Sequence, residues 1–206
     1  MGGVGTYATI LPPLLAGMGH HVTIIAKQAE GAPDKDVYEG CPVHRLIDDY
    51  LWTGDTSRED DELFSMEMHS LRSYVGIFAR NVARKIAELH AQEPFDVVLS
   101  QDVEAPTWIL QDRRMVLGEM PELPVVVFVH SPHHAIQMFN QDSVYDRHEY
   151  HRILYEKQSM SQAEGLIVAS RSMREEIMSD IGPDASRLAR IPLPHGEVPP
   201  KADFSS

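Results

Sequence analysis

Glycines cluster at the start of the chain, in the sequence MGGVGTYA. Gly3-x-Gly5-x-x-Ala8 fits the loose dinucleotide-binding pattern in which alanine replaces the third glycine. Such glycines let backbone N–H groups approach a phosphate, and the start of the following helix attracts anions. A tight turn that only lets a strand and a helix pack closely needs the same residues. The pattern therefore leaves a phosphate site and a structural turn both open.

A nicotinamide dinucleotide site needs two further features, a strand before the glycines and an acid after the second strand. Here only Met1 precedes the first glycine, and Lys27 follows the apolar run His20–Ala26 where the acid is expected. NAD is therefore disfavoured. NADP is the remaining dinucleotide alternative, because a lysine can pair with its 2′-phosphate.

Several histidines are candidate metal ligands: His130, His133, His134, His148 and His151. No carboxylate or cysteine falls at a diagnostic spacing from them, so the sequence predicts no metal site. A serine hydrolase is also disfavoured, since the chain has no G-x-S-x-G motif.

The composition is that of an ordinary globular protein, with 206 residues of which 43% are hydrophobic and 24% charged. The formal net charge of −13 disfavours a nucleic-acid partner and an anionic membrane surface. Cys41 is the single cysteine, which excludes an intrachain disulfide and a thiolate zinc cluster. No apolar run approaches the roughly 20 residues of a membrane span and no signal peptide is visible, so a cytoplasmic protein is expected.

Short β-branched runs alternate with amphipathic stretches along the chain. The predicted strands are His20–Ala26, Cys41–Ile47, Phe95–Ser100, Pro124–Val129, Gly165–Ser170 and Arg187–Leu193. The predicted helices are Ser70–Leu89, Arg147–Ala163 and Ser172–Ser179. This alternation predicts an α/β fold, a Rossmann-like doubly wound and mostly parallel sheet with helices on both faces.

The first helix is expected to be irregular. Its apolar residues keep a helical phase from Tyr7 to Met18, and Gly19 stands where a C-terminal capping glycine belongs. Pro12 and Pro13 interrupt the phase and predict a kink.

Ordered motifs along the chain resemble those of family-4 glycosyltransferases. GGVGTYATILPPLLAGMGHHVTIIAK is similar to their opening, which runs GG-x-G, an amphipathic helix and G-H-x-V-T. FDVVLSQD, VVVFVHSPHH and EKQSMSQAEGLIVASRSMREEI resemble the later strands and helices in the same order. RIPLPHG is similar to the I-P-N-G that closes their N-terminal domain, with Pro194 and His195 as departures.

The resemblance implies a GT-B enzyme, in which two Rossmann-like domains face each other and sugar transfer proceeds with retention. Residues 1–196 would form the N-terminal, acceptor-side domain and residues 197–206 a linker or tail, without the C-terminal donor domain. The expected ligands are a nucleotide-sugar and a small-molecule or glycan acceptor, and no cofactor or metal is implied. A homo-oligomer or a separate donor domain are the expected protein partners.

The resemblance also implies a set of site residues. Gly2, Gly3 and Gly5 would bring backbone N–H groups to the donor diphosphate or the acceptor, and Thr6 adjoins them. His130 would face the cleft near the transferred sugar as the catalytic residue. The other substrate-binding candidates all follow predicted strands: Asp102, Glu104, Ser170 and Arg171.

Structural alternatives stand beside these roles. His130 fits a partly buried histidine whose hydrogen bonds are satisfied. Ser170 fits a cap of the next helix, and Asp102 and Glu104 fit acids at the start of a helix.

In the family a central strand precedes the glycines, and this sequence has none there. A start codon assigned too far downstream, a truncated sequence, or replacement of the strand by another element would each account for this. Two other functions remain open: a non-catalytic ligand-binding module of the same fold, possibly dimeric, and an NADP-binding oxidoreductase fragment.

Overall fold

The computed structural model describes residues 3–29, 31–46, 74–141, 147–182 and 184–193. The helices in these ranges are α1 (Gly3–Gly17), α2 (Tyr74–Gln92), α3 (Trp108–Leu117), α4 (His133–Asn140), α5 (Arg147–Gln162) and α6 (Arg171–Asp180). The strands are β1 (Ile24–Lys27), β2 (Lys35–Tyr38), β3 (Cys41–Leu46), β4 (Val98–Gln101), β5 (Val125–Val129), β6 (Gly165–Val168) and β7 (Leu188–Arg190).

Four parallel strands form the main sheet, in the order β4-β5-β6-β7. The register pairs Val127 with Ser100 on one side and with Leu166 on the other. Because each crossover in such a sheet is right-handed, the helices between these strands lie on one face. A second sheet has the order β1-β3-β2, in which β1 is parallel to β3.

Helices on both faces of the main sheet confirm the predicted Rossmann-like α/β class. On one face, Val125, Val127 and Val129 are fully buried in a core shared with residues of α2, α3 and α5. On the other face, the Tyr7 ring of α1 packs on Phe128, with the ring centroids 4.7 Å apart.

All six predicted strands are present, with ends displaced by at most four residues. Among the α-helices and strands of the described residues, β2, α3 and α4 were not predicted. Strand β2 has four exposed residues and pairs antiparallel with β3, so it carries no buried apolar run to detect. The predicted helix start at residues 70–73 and the predicted tail at residues 197–206 lie outside the described residues.

Helix α1 continues through Pro12 and Pro13, and the kink at these residues stays a prediction. Gly19 closes the helix as expected: its φ is +93°, its N–H donates to Ala16 O, and the next N–H donates to Leu15 O. The predicted apolar face is only partly covered, because Tyr7 is buried whereas Leu14 is 51% exposed and Met18 is 69% exposed.

Strands β1 and β4 each end a sheet. Within the described ranges, no strand pairs with the other edge of either one. The two sheets nevertheless share one core, since Ile25 of β1 and Val98 of β4 pack against the same buried cluster.

Helix α3 offers a matched test of this core, because Leu110 is fully buried and Leu117 is 63% exposed on the same helix. Leu110→Ala should lower the free energy of unfolding by about 2–5 kcal/mol, through lost burial and the cavity that remains. Leu117→Ala should change it by less than about 0.5 kcal/mol. Urea denaturation of both variants measures the difference, and equal effects would contradict the packing.

Candidate functional site

The carboxyl ends of β4, β5 and β6 meet at one edge of the main sheet, and polar residues follow each strand. Asp102 follows β4, His130 follows β5, and Ser170 comes two residues after β6. The first turn of α1 lies against the same edge, since the Tyr7 and His130 ring centroids are 4.8 Å apart. Ligands of open α/β sheets bind at such an edge.

Asp102 is fully buried beneath this edge. Its carboxylate accepts the N–H groups of His130 and Ser131, each at 3.0 Å. Burial raises the pKa of Asp102 to about 6, although these N–H groups favour the charged form. The contacts make Asp102 a support for the turn after β5, and a direct role in binding a substrate hydroxyl stays a prediction.

His130 presents its imidazole between two aromatic rings. It stacks on Phe128 with a centroid distance of 4.6 Å, and Tyr7 meets it edge-on. Burial lowers the pKa of His130 to about 4, so the imidazole is neutral at pH 7. Its Nε2 atom is buried without a hydrogen-bond partner. The structural alternative was a partly buried histidine whose hydrogen bonds are satisfied. His130 is partly buried, but its Nε2 atom makes no hydrogen bond.

Tyr7 adds a second unsatisfied polar atom beside His130. Its hydroxyl is buried and has no hydrogen-bond partner, and burial raises its pKa, so the hydroxyl keeps its proton. Gly3 and Gly5 lie within the first turn of α1 and not in a loop ahead of it. Thr6 is exposed there, and its carbonyl accepts the Thr9 hydroxyl at 2.9 Å. Gly2 lies outside the described residues.

Glu104 is held in place by two contacts after β4. Its side chain forms an ion pair with Lys27, and its backbone N–H donates to Glu156 at 3.0 Å. The φ of Glu104 is +60° and that of Ala105 is +43°, both in the left-handed region that non-glycine residues rarely adopt. This ion pair also occupies Lys27, the residue expected to pair with the 2′-phosphate of NADP.

Ser170 caps helix α6, as its structural alternative predicted. Its hydroxyl oxygen accepts the N–H of Met173 at 3.1 Å. Arg171 begins that helix, with a side chain that is 84% exposed and a 3.0 Å contact from its Nε to Glu175. Both residues lie at the same edge as His130, and their roles in binding stay predictions.

Glu156 of α5 is the residue of this edge that sequence reasoning missed. It is 1% exposed and accepts backbone N–H groups from Glu104 and His133. Glu156 opens the motif EKQSMSQAEGLIVASRSMREEI, but its local neighbourhood YEKQ is typical of a solvent-facing helix turn, so its burial could not be predicted from the sequence. Sequence analysis also assigned no site role to Tyr7, although its position two residues after Gly5 pointed to it.

Two further histidines of this region contact charged side chains. His133 Nδ1 lies 2.7 Å from an Arg152 nitrogen, and His134 Nε2 lies 3.0 Å from Asp180. Among the residues that the structure describes, no group of three His, Cys, Asp or Glu side chains is placed to hold a metal ion. In the same ranges, no helix is both long enough and apolar enough to cross a bilayer.

The fold and this edge define a Rossmann-like domain with a candidate ligand site at the carboxyl ends of its strands. Residues 2–194 match the family described as glycosyl transferase 4-like domain. The chain therefore belongs to that family, which confirms the resemblance found in the sequence motifs. A comparison with curated proteins found no match.

Stability should depend on pH through Asp102. The pKa is raised from 3.8 to about 6, so the folded protein keeps a proton that the unfolded chain releases in this interval. The stabilisation is complete below about pH 4 and is lost as the pH rises through about 6. Between those limits the unfolding free energy of the wild type should fall by on the order of 2–3 kcal/mol relative to Asp102→Asn.

The control for this measurement is Asp36→Asn. A hydrogen bond from the Val37 N–H lowers the pKa of Asp36 most, and a hydrogen bond from the Arg45 side chain lowers it further. Its stabilisation is therefore present at neutral pH and lost on acidification, which is the opposite sign. A wild-type difference from Asp102→Asn that stays constant with pH would contradict the buried titration.

Tyr7→Phe should raise the free energy of unfolding by about 1 kcal/mol, because it keeps the ring contacts and removes a buried hydroxyl without a partner. Tyr38→Phe is the control, since that exposed hydroxyl donates to Thr9 O at 3.3 Å. It should leave stability unchanged or slightly lower it. Thermal unfolding of both variants gives the comparison, and a large loss with Tyr7→Phe would show that the hydroxyl is already satisfied.

Proposed function

We propose that this chain is the acceptor-side, N-terminal portion of a retaining GT-B glycosyltransferase that transfers a sugar from a nucleotide-sugar to an acceptor hydroxyl. The match of residues 2–194 to the glycosyl transferase 4-like family carries the proposal. The arrangement at the carboxyl edge supports it, because backbone N–H groups and two unsatisfied polar side chains converge there.

The two unsatisfied side chains suit an uncharged polyol. Tyr7 offers a protonated hydroxyl and His130 a neutral imidazole, so together they supply a donor and an acceptor without net charge. A sugar hydroxyl both donates and accepts, which matches this pair. Both polar atoms are shielded from solvent, so side chains at this edge must move before a ligand can reach them.

The start of α1 suits the anionic part of a substrate. The first N–H groups of a helix lack partners within the helix, and they favour a phosphate. Glycines at positions 3 and 5 leave room for close approach of a ligand to this turn. The proposed division places phosphate at the helix start and sugar hydroxyls at His130.

In the proposed reaction, the acceptor oxygen bonds to the anomeric carbon while the bond from that carbon to the phosphate oxygen breaks. The nucleoside diphosphate leaves with the electron pair, and the proton of the acceptor hydroxyl passes to a phosphate oxygen of this leaving group. His130 positions the sugar by a hydrogen bond and supplies no positive charge, because its pKa is near 4. Turnover is proposed to require a donor-binding domain, in the same polypeptide or in another.

Calorimetry with a panel of nucleotide-sugars and glycan acceptors tests binding. At least one ligand should bind the wild type saturably, and His130→Phe should weaken that binding about tenfold, as expected for loss of one hydrogen bond. Phenylalanine keeps the stacking on Phe128, so unfolding should change little. His21→Phe is the control, because that side chain is 93% exposed and precedes β1 at the opposite edge.

Turnover is measured after the chain is joined to the coding sequence that follows it in its gene, and the anomeric configuration of the product reports retention. Binding without transfer to any acceptor would instead favour the non-catalytic module. A saturable NADPH signal with no affinity for nucleotide-sugars would favour the oxidoreductase.

A further inference from the structure

Glu156 connects two loops of the carboxyl edge that are far apart in sequence. One carboxylate oxygen accepts the N–H of Glu104 at 3.0 Å, and the other accepts the N–H of His133 at 2.6 Å. Glu104 lies in the loop after β4, and His133 begins helix α4 after β5. A single side chain of α5 therefore fixes the relative position of both loops.

Helix α4 depends on this distant carboxylate for the start of its first turn. Its N-cap residue is Pro132, which makes no side-chain cap hydrogen bond. The N–H groups of a first helical turn need acceptors from outside the helix, and a negative charge is favourable there. Glu156 supplies the acceptor and the charge to His133, although it lies 23 residues further along the chain.

The loop after β4 also needs external support. Glu104 and Ala105 both have positive φ values, and such conformations persist where the surrounding contacts impose them. The Glu156 contact holds the first of these two residues. Burial of the Ala105 side chain beside the stacked rings of Trp108 and Tyr155, 3.9 Å apart, holds the second.

We propose that Glu156 is a positioning residue, which clamps the β4 loop and the start of α4 together so that His130 keeps its place at the carboxyl edge. His130 lies in the turn between β5 and α4, so its backbone is tethered by Asp102 on one side and by the clamped His133 on the other. Only the effect on ligand binding rests on the proposed function. The clamp itself is testable in the protein alone.

A carboxylate is the group that this geometry requires. Each of its oxygens accepts one N–H, whereas the amide of glutamine has a single acceptor oxygen and would turn its NH₂ group toward the other N–H. Glu156→Gln keeps the shape of the side chain and removes one of the two contacts. It therefore separates the clamp from simple packing.

Glu164→Gln is the matched control. Glu164 also accepts a backbone N–H, that of Val125 at 2.7 Å, and it pairs with Arg114 at 3.0 Å. It lies at the amino end of β6, at the opposite edge of the same sheet. Because Glu164 accepts one backbone N–H and not two, the single acceptor oxygen of glutamine can keep that contact. The substitution should therefore leave the carboxyl edge unchanged.

Amide hydrogen exchange of the full chain, followed by NMR, tests the clamp. In Glu156→Gln, the Glu104 or the His133 amide should exchange at least tenfold faster while the Val125 amide keeps its rate. In Glu164→Gln, the Glu104 and His133 amides should keep their wild-type rates. Unchanged rates at both amides, or an increase no larger than that at Val125, would overturn the proposal.

The pH profile of the wild type gives a second test that needs no variant. Burial raises the pKa of Glu156 to about 7; Asp102 adds to the rise, while Arg152 and the two backbone N–H groups oppose it. Asp102 and Arg152 are thus the charges that act on it, and His133 and the Glu104–Lys27 ion pair lie at the two amides that it accepts. Ionised Glu156 accepts both N–H groups, so protection of these amides relative to Val125 should increase between about pH 6 and 8. A flat ratio would contradict the clamp.

Ligand affinity tests whether the clamp contributes to ligand binding. With whichever sugar ligand binds the wild type, Glu156→Gln should weaken binding about tenfold and Glu164→Gln should not. Equal affinity of wild type and Glu156→Gln, with altered exchange, would overturn the role in positioning His130. If no ligand binds the wild type, the proposed function fails, while the exchange rates still decide whether the clamp exists.

Discussion

Backbone N–H groups at the ends of β4 and β5 need acceptors, because the strands stop there and the chain turns away from its ladder partners. Two buried carboxylates meet this requirement. Asp102 accepts two N–H groups from the turn after β5, and Glu156 accepts one from each of two loops. A buried carboxylate is costly to desolvate, and four backbone N–H contacts offset part of this cost. The geometry of the carboxyl edge depends on these four hydrogen bonds.

The same burial determines which groups at the edge carry charge. Asp102 and Glu156 have pKa values raised to about 6 and about 7, whereas that of His130 is lowered to about 4. Desolvation is the largest cause in each case, and it always opposes the charged form. At this edge the imidazole of His130 is therefore neutral, whereas both carboxylates accept backbone N–H groups.

Continuous apolar runs such as PVVVFV predicted the main sheet because a strand buried on both faces leaves that signature. Strand β2 and helices α3 and α4 lack it, since each has exposed residues. Helix α4 shows the reason clearly: Pro132 precedes it, and its capping acid is Glu156 on another helix. A cap that arrives through tertiary contact cannot be predicted from local sequence.

The candidate site was predictable to the extent that strand ends define it. Asp102 and His130 were found because they follow strands, and the parallel register brings them to one edge. The roles of individual side chains were harder to predict, because they depend on which atoms face each other across loops. Asp102 follows a strand as a ligand-binding acid would, yet both of its oxygens are taken by backbone. Ser170 caps a helix for the same reason that it lies at the edge: a strand ends and a helix begins there. In a fold of this type the loops that bind ligands must also terminate strands and start helices, so polar residues at these positions satisfy backbone first. The groups left for a proposed ligand are those whose polar atoms the backbone does not use, and Tyr7 and His130 are two such residues that lie side by side at this edge.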